Sequence, residues 1–99
     1  MERRIARASE IPSGHAKPYP ADGIEILLCN VGGTFYAIED VCTHDGAPLD
    51  QGTLEGTCVT CPRHGATFDV RSGDATLPAV IPVMTFSVRE ENGELIVDC

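Results

Sequence analysis

Two cysteine–histidine pairs are the residues of this sequence whose types and spacing could do chemistry. One residue separates Cys42 from His44, and two residues separate Cys61 from His64. Each pair is followed within two residues by a glycine, which lets the backbone turn tightly or approach a bound group. Two thiolates and two imidazoles can complete a four-ligand metal site. The pattern therefore predicts a metal centre held by two loops.

The elements that must position these loops are predicted to be short strands. The 99 residues include ten glycines, seven prolines and no tryptophan, which is typical of one domain of strands and turns. No helical period of 3.6 residues continues for three turns, so the sequence predicts an all-β fold. The predicted strands are 2–7, 24–30, 34–38, 57–60, 67–70, 83–89 and 94–98, with 53–55 a short strand or turn.

Turn residues between the strands predict how some of them pair. Gly32 and Gly33 separate 24–30 from 34–38, and the Asn92-Gly93 turn separates the last two strands, so both pairs are expected to be hairpins. The segment 2–7 is charged and is expected at a sheet edge. The segment 77–82 contains two prolines and is expected to be a packed loop.

Charge and hydropathy exclude some function classes. The formal net charge of −8 disfavours nucleic-acid binding, which requires basic surface, and suits a partner with a positively charged patch. No apolar run is long enough to span a membrane, and no apolar segment follows Arg3 and Arg4 as in an export signal. We therefore expect a cytoplasmic protein whose five cysteines are reduced and available for metal.

The two motifs, C-T-H-D-G-A from Cys42 and C-P-R-H-G-A from Cys61, resemble the ligand loops of Rieske proteins. Nearly the whole chain resembles the small bacterial Rieske ferredoxins: the I-P-S-G turn at 11–14, the F-Y-A-I-E-D-V-C approach to Cys42, and the proline loop around Pro78. The resemblance implies one Rieske domain over 1–99, with cluster-binding loops at about 42–48 and 61–67. It also implies three antiparallel sheets in a sandwich or barrel-like arrangement, with the cluster-binding subdomain at the tip.

The same resemblance implies one [2Fe–2S] cluster, with Cys42 and Cys61 on one iron and His44 and His64 on the other. Neutral imidazoles leave the oxidised centre without net charge, so it accepts an electron more readily than a four-thiolate cluster does.

Four further positions bear on the potential of the cluster. Ala47 and Arg63 stand where respiratory Rieske proteins carry a disulfide, and Ala66 and Phe68 stand where they carry hydroxyl donors. Fewer hydrogen bonds to sulfur leave the reduced cluster less stabilised. The resemblance thus implies a low-potential centre.

A low-potential centre of this kind implies a ferredoxin that carries single electrons from a flavoprotein reductase to a terminal aromatic-ring dioxygenase. The chain is not expected to be the enzyme itself, because a mononuclear iron site needs two histidines and a carboxylate and only His15 remains. It also lacks the glycine-rich motif of nicotinamide or flavin binding. We expect it to act as a monomer.

Two alternatives remain open. One is a Rieske-like small subunit of an assimilatory nitrite reductase, and the other is a zinc-binding interaction module, although zinc modules usually begin with two cysteines. Outside the motifs, Cys29 and Cys58 are interpreted as structural thiols, and Cys99 as free and exposed.

The charged residues near the motifs are also ambiguous. The acidic side chains at 45, 50 and 55 are either ordinary solvated loop charges or a docking rim, and Arg63 is expected to pair with a nearby carboxylate.

Overall fold

The computed structural model describes residues 1–99, and nearly all of its regular secondary structure is β. A single 3₁₀ turn, Ala8–Glu10, interrupts nine strands. The strands are β1 (Glu2–Arg7), β2 (Ala16–Ala21), β3 (Ile24–Val31), β4 (Thr34–Glu39), β5 (Leu54–Glu55), β6 (Cys58–Thr60), β7 (Thr67–Asp69), β8 (Thr85–Glu91) and β9 (Glu94–Asp98). The predicted all-β class is confirmed. A helix of the length and apolarity needed to cross a membrane does not occur.

Six of the strands form one antiparallel sheet in the order β1-β9-β8-β4-β3-β2. The three expected antiparallel sheets are present, and the two larger ones are joined into one because both contain β8. Its first residues pair with β4 at Phe86 and Thr85, and the remainder pairs with β9. The sheet curls so that its two edge strands, β1 and β2, approach each other in a nearly closed barrel.

Both predicted hairpins are present. Strands β3 and β4 pair from Val31↔Thr34 outward, and β8 pairs with β9 from Glu91↔Glu94. In the second hairpin Asn92 and Gly93 both have positive φ, 53° and 79°. That is the conformation of a two-residue type I′ turn, whose twist matches the strands it joins.

Strand β3 is buried on both faces because it separates two hydrophobic cores. Ile26 and Leu28 point into the barrel, where they pack with Leu95 and other residues of β9. Leu27 and Cys29 point the other way, into the core beneath the two motif loops. Cys29 is thus a core thiol, as interpreted from the sequence. Strand β3 therefore belongs to the barrel and also supports the core beneath the two motif loops.

The remaining strands form a small sheet, β5-β6-β7, inserted between β4 and β8. The segment 77–82 is a loop as predicted, but the prediction that it is packed is wrong for most of its side chains. Ala79 is buried, whereas Leu77, Val80 and Ile81 are exposed. Apolar composition alone does not reveal that these side chains have no neighbour to cover them.

Gly52 carries a steric requirement that the sequence pattern does not show. A Cβ at this position would lie 1.8 Å from the Thr60 carbonyl oxygen and 3.2 Å from that of Leu49. Both are backbone atoms, and Thr60 immediately precedes Cys61. The loop after the first motif can therefore pack against β6 only if residue 52 has no side chain.

We predict that Gly52→Ala destabilises the fold, because the added methyl group must displace the β6 backbone. Overpacking of this kind costs about 2 kcal/mol or more, which corresponds to a fall of about 10 °C in melting temperature for a domain of this size. Thermal denaturation followed by circular dichroism is the measurement. Thr53→Ala, at the exposed neighbouring position, is the control and should change the midpoint by no more than about 2 °C. An unchanged midpoint for Gly52→Ala would contradict the close approach.

Candidate metal centre

The two motif loops close with the same backbone hydrogen bonds. In the first, the Cys42 N–H donates to the Ala47 carbonyl at 2.7 Å, and the Gly46 N–H donates to the Cys42 carbonyl at 2.7 Å. In the second, the Cys61 N–H donates to the carbonyl five residues later at 2.7 Å, and the Gly65 N–H donates back to Cys61 at 3.1 Å. Both glycines have φ of 78°, a left-handed conformation that favours glycine.

This shared geometry brings the four predicted ligand residues together. Cys42 and Cys61 are both fully buried, and their sulfurs lie within 4.8 Å of each other. His44 and His64 are exposed, with ring centroids 5.1 Å apart and ring planes at 89°. The two thiols thus lie inside, against the core, and the two imidazoles lie outside at the surface.

Asp45 corrects the sequence interpretation of the acidic residues. The residue is exposed, but its carboxylate is turned toward the two loops: its side chain is 19% exposed, and one of its oxygens lies within 4.8 Å of both cysteine sulfurs. The Ala47 N–H donates to Oδ1 at 3.0 Å, and the Arg63 Nε lies 3.0 Å from Oδ2. These two partners lower the pKa of the Asp45 carboxyl, with the Ala47 hydrogen bond the larger influence.

The predicted pairing of Arg63 with a nearby carboxylate is confirmed by this contact, which joins one motif loop to the other. The His64 Nε2 also lies 3.4 Å from the same Asp45 oxygen. Because Asp45 already has two partners, it serves to connect the loops. The donors left for a metal are the two sulfurs and the two imidazole rings.

A carboxyl pair, formed by buried Asp40 and half-buried Asp50, supports the first loop. The Leu49 N–H donates to Asp40 Oδ1 at 2.7 Å. Burial, followed by a hydrogen bond with Asp50, raises the pKa of the Asp40 carboxyl to about 6. The same hydrogen bond lowers the pKa of Asp50, so the proton of the pair resides on Asp40. Asp50, too, is therefore a structural group and not a free surface charge.

A third loop is fastened to both motif loops. The Thr43 hydroxyl donates to the Ile81 carbonyl at 2.5 Å. On the other side, the Thr67 N–H donates to Thr76 Oγ1 at 2.9 Å, and the two hydroxyls are 2.8 Å apart. Sequence reasoning placed a proline loop here but not these contacts, which join segments far apart in the chain.

The donor set fits a [2Fe–2S] group with mixed ligands. Burial raises the pKa of the Cys42 thiol, with Cys61 beside it as a further cause, so two adjacent thiolates require a positive charge between them. Iron supplies that charge and is bound by thiolate sulfur, while the imidazoles need no deprotonation. The two buried sulfurs suit one iron, and the two exposed imidazole nitrogens suit a second iron.

The other cysteines and the third histidine lie away from this centre. Cys58 is half-buried on β6, opposite Asp69. Cys99 is half-buried against the barrel core, so the prediction that it is exposed is wrong. His15 lies in the turn before β2, and its backbone pairs with Asn30.

Comparison with known proteins points to one family. A family model described as a Rieske [2Fe-2S] domain matches residues 2–87. The ferredoxin component of biphenyl 2,3-dioxygenase from Rhodococcus jostii (strain RHA1) is 38% identical over 96 residues, which span 96% of this chain and 90% of that protein.

Solved structures agree. The ferredoxin of carbazole 1,9a-dioxygenase from Nocardioides aromaticivorans IC177 superposes with a TM-score of 0.93 and 33% identity, covering 98% of this chain and 96% of that one. A chain from a complex of reduced oxygenase and oxidized ferredoxin in carbazole 1,9a-dioxygenase has a TM-score of 0.92 and 35% identity, with coverage of 97% and 91%.

We predict that Asp40→Asn makes stability less dependent on pH. An asparagine can accept the Leu49 hydrogen bond and donate to Asp50, as the protonated Asp40 does. Because the folded-state pKa of Asp40 is raised, the wild type is stabilised at low pH and loses that contribution as pH rises through about 6. The difference between the melting temperatures of the variant and the wild type should therefore shift in favour of the variant by a few degrees between pH 5 and 7.5. Asp74→Asn, at an exposed carboxylate, is the control and should show a constant difference; a constant difference for Asp40→Asn would contradict the shared proton.

Proposed function

Because this chain belongs to the family of Rieske [2Fe–2S] domains, we propose that it is the ferredoxin component of an aromatic-ring dioxygenase system and carries single electrons to the terminal oxygenase. The observation that carries the proposal is the pairing of two buried cysteines, whose sulfurs lie within 4.8 Å of each other, with two exposed histidines whose ring centroids lie 5.1 Å apart. The relatives named above are ferredoxins of biphenyl and carbazole dioxygenases. This disfavours the nitrite reductase subunit and the zinc module.

The proposed ligands are Cys42 and Cys61 for one iron and His44 and His64 for the other, within one domain over 1–99 whose cluster-binding loops span about 42–48 and 61–67. A bound Rieske-type cluster accepts one electron and releases it again. The core shields the two cysteine sulfurs from water. The two imidazoles, in contrast, present nitrogen atoms to the solvent. Electrons therefore have a short route at the imidazole surface and a longer route through the barrel.

The side chains around the thiols favour a low potential. Ala66 and Phe68 are fully buried in the same core as both cysteines and offer no hydroxyl to a sulfur. Arg63 is engaged with Asp45 across the loops. With few donors to stabilise added negative charge, the potential should lie near the lower end of the Rieske range of about −150 to +300 mV.

The partners follow from the role of a shuttle. We propose a flavoprotein ferredoxin reductase as the electron donor, a terminal oxygenase as the acceptor, and the cytoplasm as the location. The chemistry on the aromatic ring belongs to the oxygenase, because His15 is the one histidine left over and it lies at the barrel, without the second histidine that a mononuclear iron site requires.

We predict that the purified chain contains two irons and two sulfides and that substitution of any proposed ligand removes them. Cys42→Ser, Cys61→Ser, His44→Asn and His64→Asn should each lose most of the bound iron and the visible absorption. Cys58→Ser and His15→Asn are matched controls and should retain both. Metal and sulfide analysis with visible spectroscopy is the measurement. Full iron content in a ligand variant, or zinc in the wild type, would contradict the assignment.

We further predict that Ala66→Ser and Phe68→Tyr raise the potential. Each adds a hydroxyl at a position that the family resemblance equates with a donor in high-potential Rieske proteins. A differential stabilisation of the reduced state of about 1 kcal/mol corresponds to about 40 mV for one electron, since a tenfold change in equilibrium constant is about 59 mV. Voltammetry of the single and double variants is the measurement. Potentials that stay within about 10 mV while the cluster remains intact would contradict the correspondence of these positions.

A further inference from the structure

The two motif loops close alike but differ in the peptide unit that follows the closing carbonyl. In the first loop this unit joins Ala47 to Pro48, and proline has no N–H to donate. In the second loop it joins Ala66 to Thr67, and the Thr67 N–H donates to Thr76 Oγ1 at 2.9 Å. The exit of the first loop is therefore restrained by a proline ring, whereas the exit of the second depends on a side chain from another part of the chain.

Thr76 lies where a short segment runs antiparallel to β7. Its N–H donates to the Thr67 carbonyl at 2.9 Å. In a regular antiparallel pair the Thr67 N–H would donate in return to the Thr76 carbonyl. That carbonyl instead accepts the Ala79 N–H at 3.0 Å, where the chain turns into the proline loop at 77–82. The Thr76 hydroxyl therefore takes the place of a backbone acceptor that the turn has diverted.

The side chain that fills this place must be short and must carry an acceptor. Serine and threonine hydroxyls form hydrogen bonds of this kind with nearby backbone groups. The Thr67 and Thr76 hydroxyl oxygens are also 2.8 Å apart, so Thr76 contacts both the backbone and the side chain of Thr67. Because Thr76 is exposed, water could reach the Thr67 N–H if the side chain at 76 were smaller. A side chain of the same shape without oxygen would instead leave that N–H without an acceptor.

The hydrogen bond reaches the proposed ligands through one peptide unit. The Ala66 carbonyl accepts the Cys61 N–H at 2.7 Å, and the N–H of the same peptide unit is the one that donates to Thr76. Since a peptide unit is planar, fixing the direction of its N–H also fixes the direction of its carbonyl. Hydrogen bonds in series strengthen one another as well. Thr76 therefore acts on the closure of the loop that contains Cys61 and His64.

We propose that Thr76 is a positioning residue for the cluster site, and that its hydroxyl holds the second motif loop in the arrangement that lets Cys61 and His64 bind iron. The inference rests on the proposed function, because it takes these two residues as ligands. Thr76 acts through Thr67 and Ala66 and is not itself a ligand. Without its hydroxyl, Cys61 and His64 would occupy a wider range of positions, so the cluster should be released sooner and its geometry should vary more between molecules.

The test compares variants at both ends of this hydrogen bond in the cluster-loaded protein. Thr76→Val keeps the shape of the side chain and removes the acceptor, while its added methyl group keeps water from the Thr67 N–H. Thr76→Ser retains the acceptor. Thr67→Val removes the contact between the hydroxyls but leaves the N–H bonded to Thr76. Thr34→Val, at an exposed threonine of β4, is the matched control.

Three measurements report on the second loop. Hydrogen exchange followed by mass spectrometry measures how often 61–68 opens. The decay of visible absorbance in the presence of an iron chelator measures the rate of cluster release. The line width of the electron paramagnetic resonance signal of the reduced protein measures the spread of cluster geometries. A hydroxyl that served the fold alone would change the first measurement and leave the other two unchanged.

We expect Thr76→Val to accelerate both hydrogen exchange and cluster release about fivefold or more, as the loss of one ordinary hydrogen bond implies. Its resonance lines should broaden. Thr76→Ser and Thr67→Val should stay within about twofold of the wild type in both rates, because the Thr67 N–H keeps its acceptor in each. The Thr34→Val control should match the wild type in all three measurements.

The other outcomes decide against the proposal. Faster exchange in Thr76→Val with wild-type cluster release and line width shows a purely structural hydroxyl and overturns it, and so does a Thr76→Ser variant as impaired as Thr76→Val. Thr76→Ala removes the acceptor without blocking water and should release the cluster about twofold faster or more. Wild-type release in the alanine variant overturns the proposal even if Thr76→Val does not fold. A wild type without iron contradicts the proposed function, and the role of Thr76 fails with it.

Discussion

The structure depends on one electrostatic constraint: two cysteine sulfurs must lie side by side in a core that excludes water. Burial raises the pKa of the Cys42 thiol, and a neighbouring Cys61 thiolate would raise it further, so the deprotonated pair is favourable only with a cation between the sulfurs. The chain meets this constraint with two loops that close by the same hydrogen bonds from separate strands. The Asp45–Arg63 contact then joins the loops at the surface, where an exposed ion pair alone contributes little to stability.

The barrel supports this arrangement without taking part in it. Because β3 is buried on both faces, Leu27 and Leu28 belong to different cores although they are neighbours in sequence. The core beneath the site therefore rests on a strand that is also held from the barrel side. Gly52 shows how tightly the loop after the first motif packs against β6. The backbone at Gly52 passes so close to the Thr60 carbonyl that a methyl group is excluded.

Local sequence patterns predicted most strands, both hairpins and the two motif loops, because strand period, turn chemistry and ligand spacing all act over a few residues. What they missed depends on residues distant in the chain. The pairing of β4 with β8, the contact of Asp45 with Arg63 across the motif loops, and the Thr43–Ile81 hydrogen bond have no local signal. The exposure of the proline loop was missed for the opposite reason: its composition resembles that of a packed segment, and only the fold reveals that nothing covers it.

An electron shuttle has to combine recognition with rapid release, and small interfaces suit such short-lived encounters. The net charge of −8 opposes association between copies of this chain, although several of its large apolar side chains are exposed. Because the Thr43 hydroxyl donates to the Ile81 carbonyl, the exposed apolar loop at 77–84 is attached directly to the first motif loop, between the proposed ligand residues Cys42 and His44.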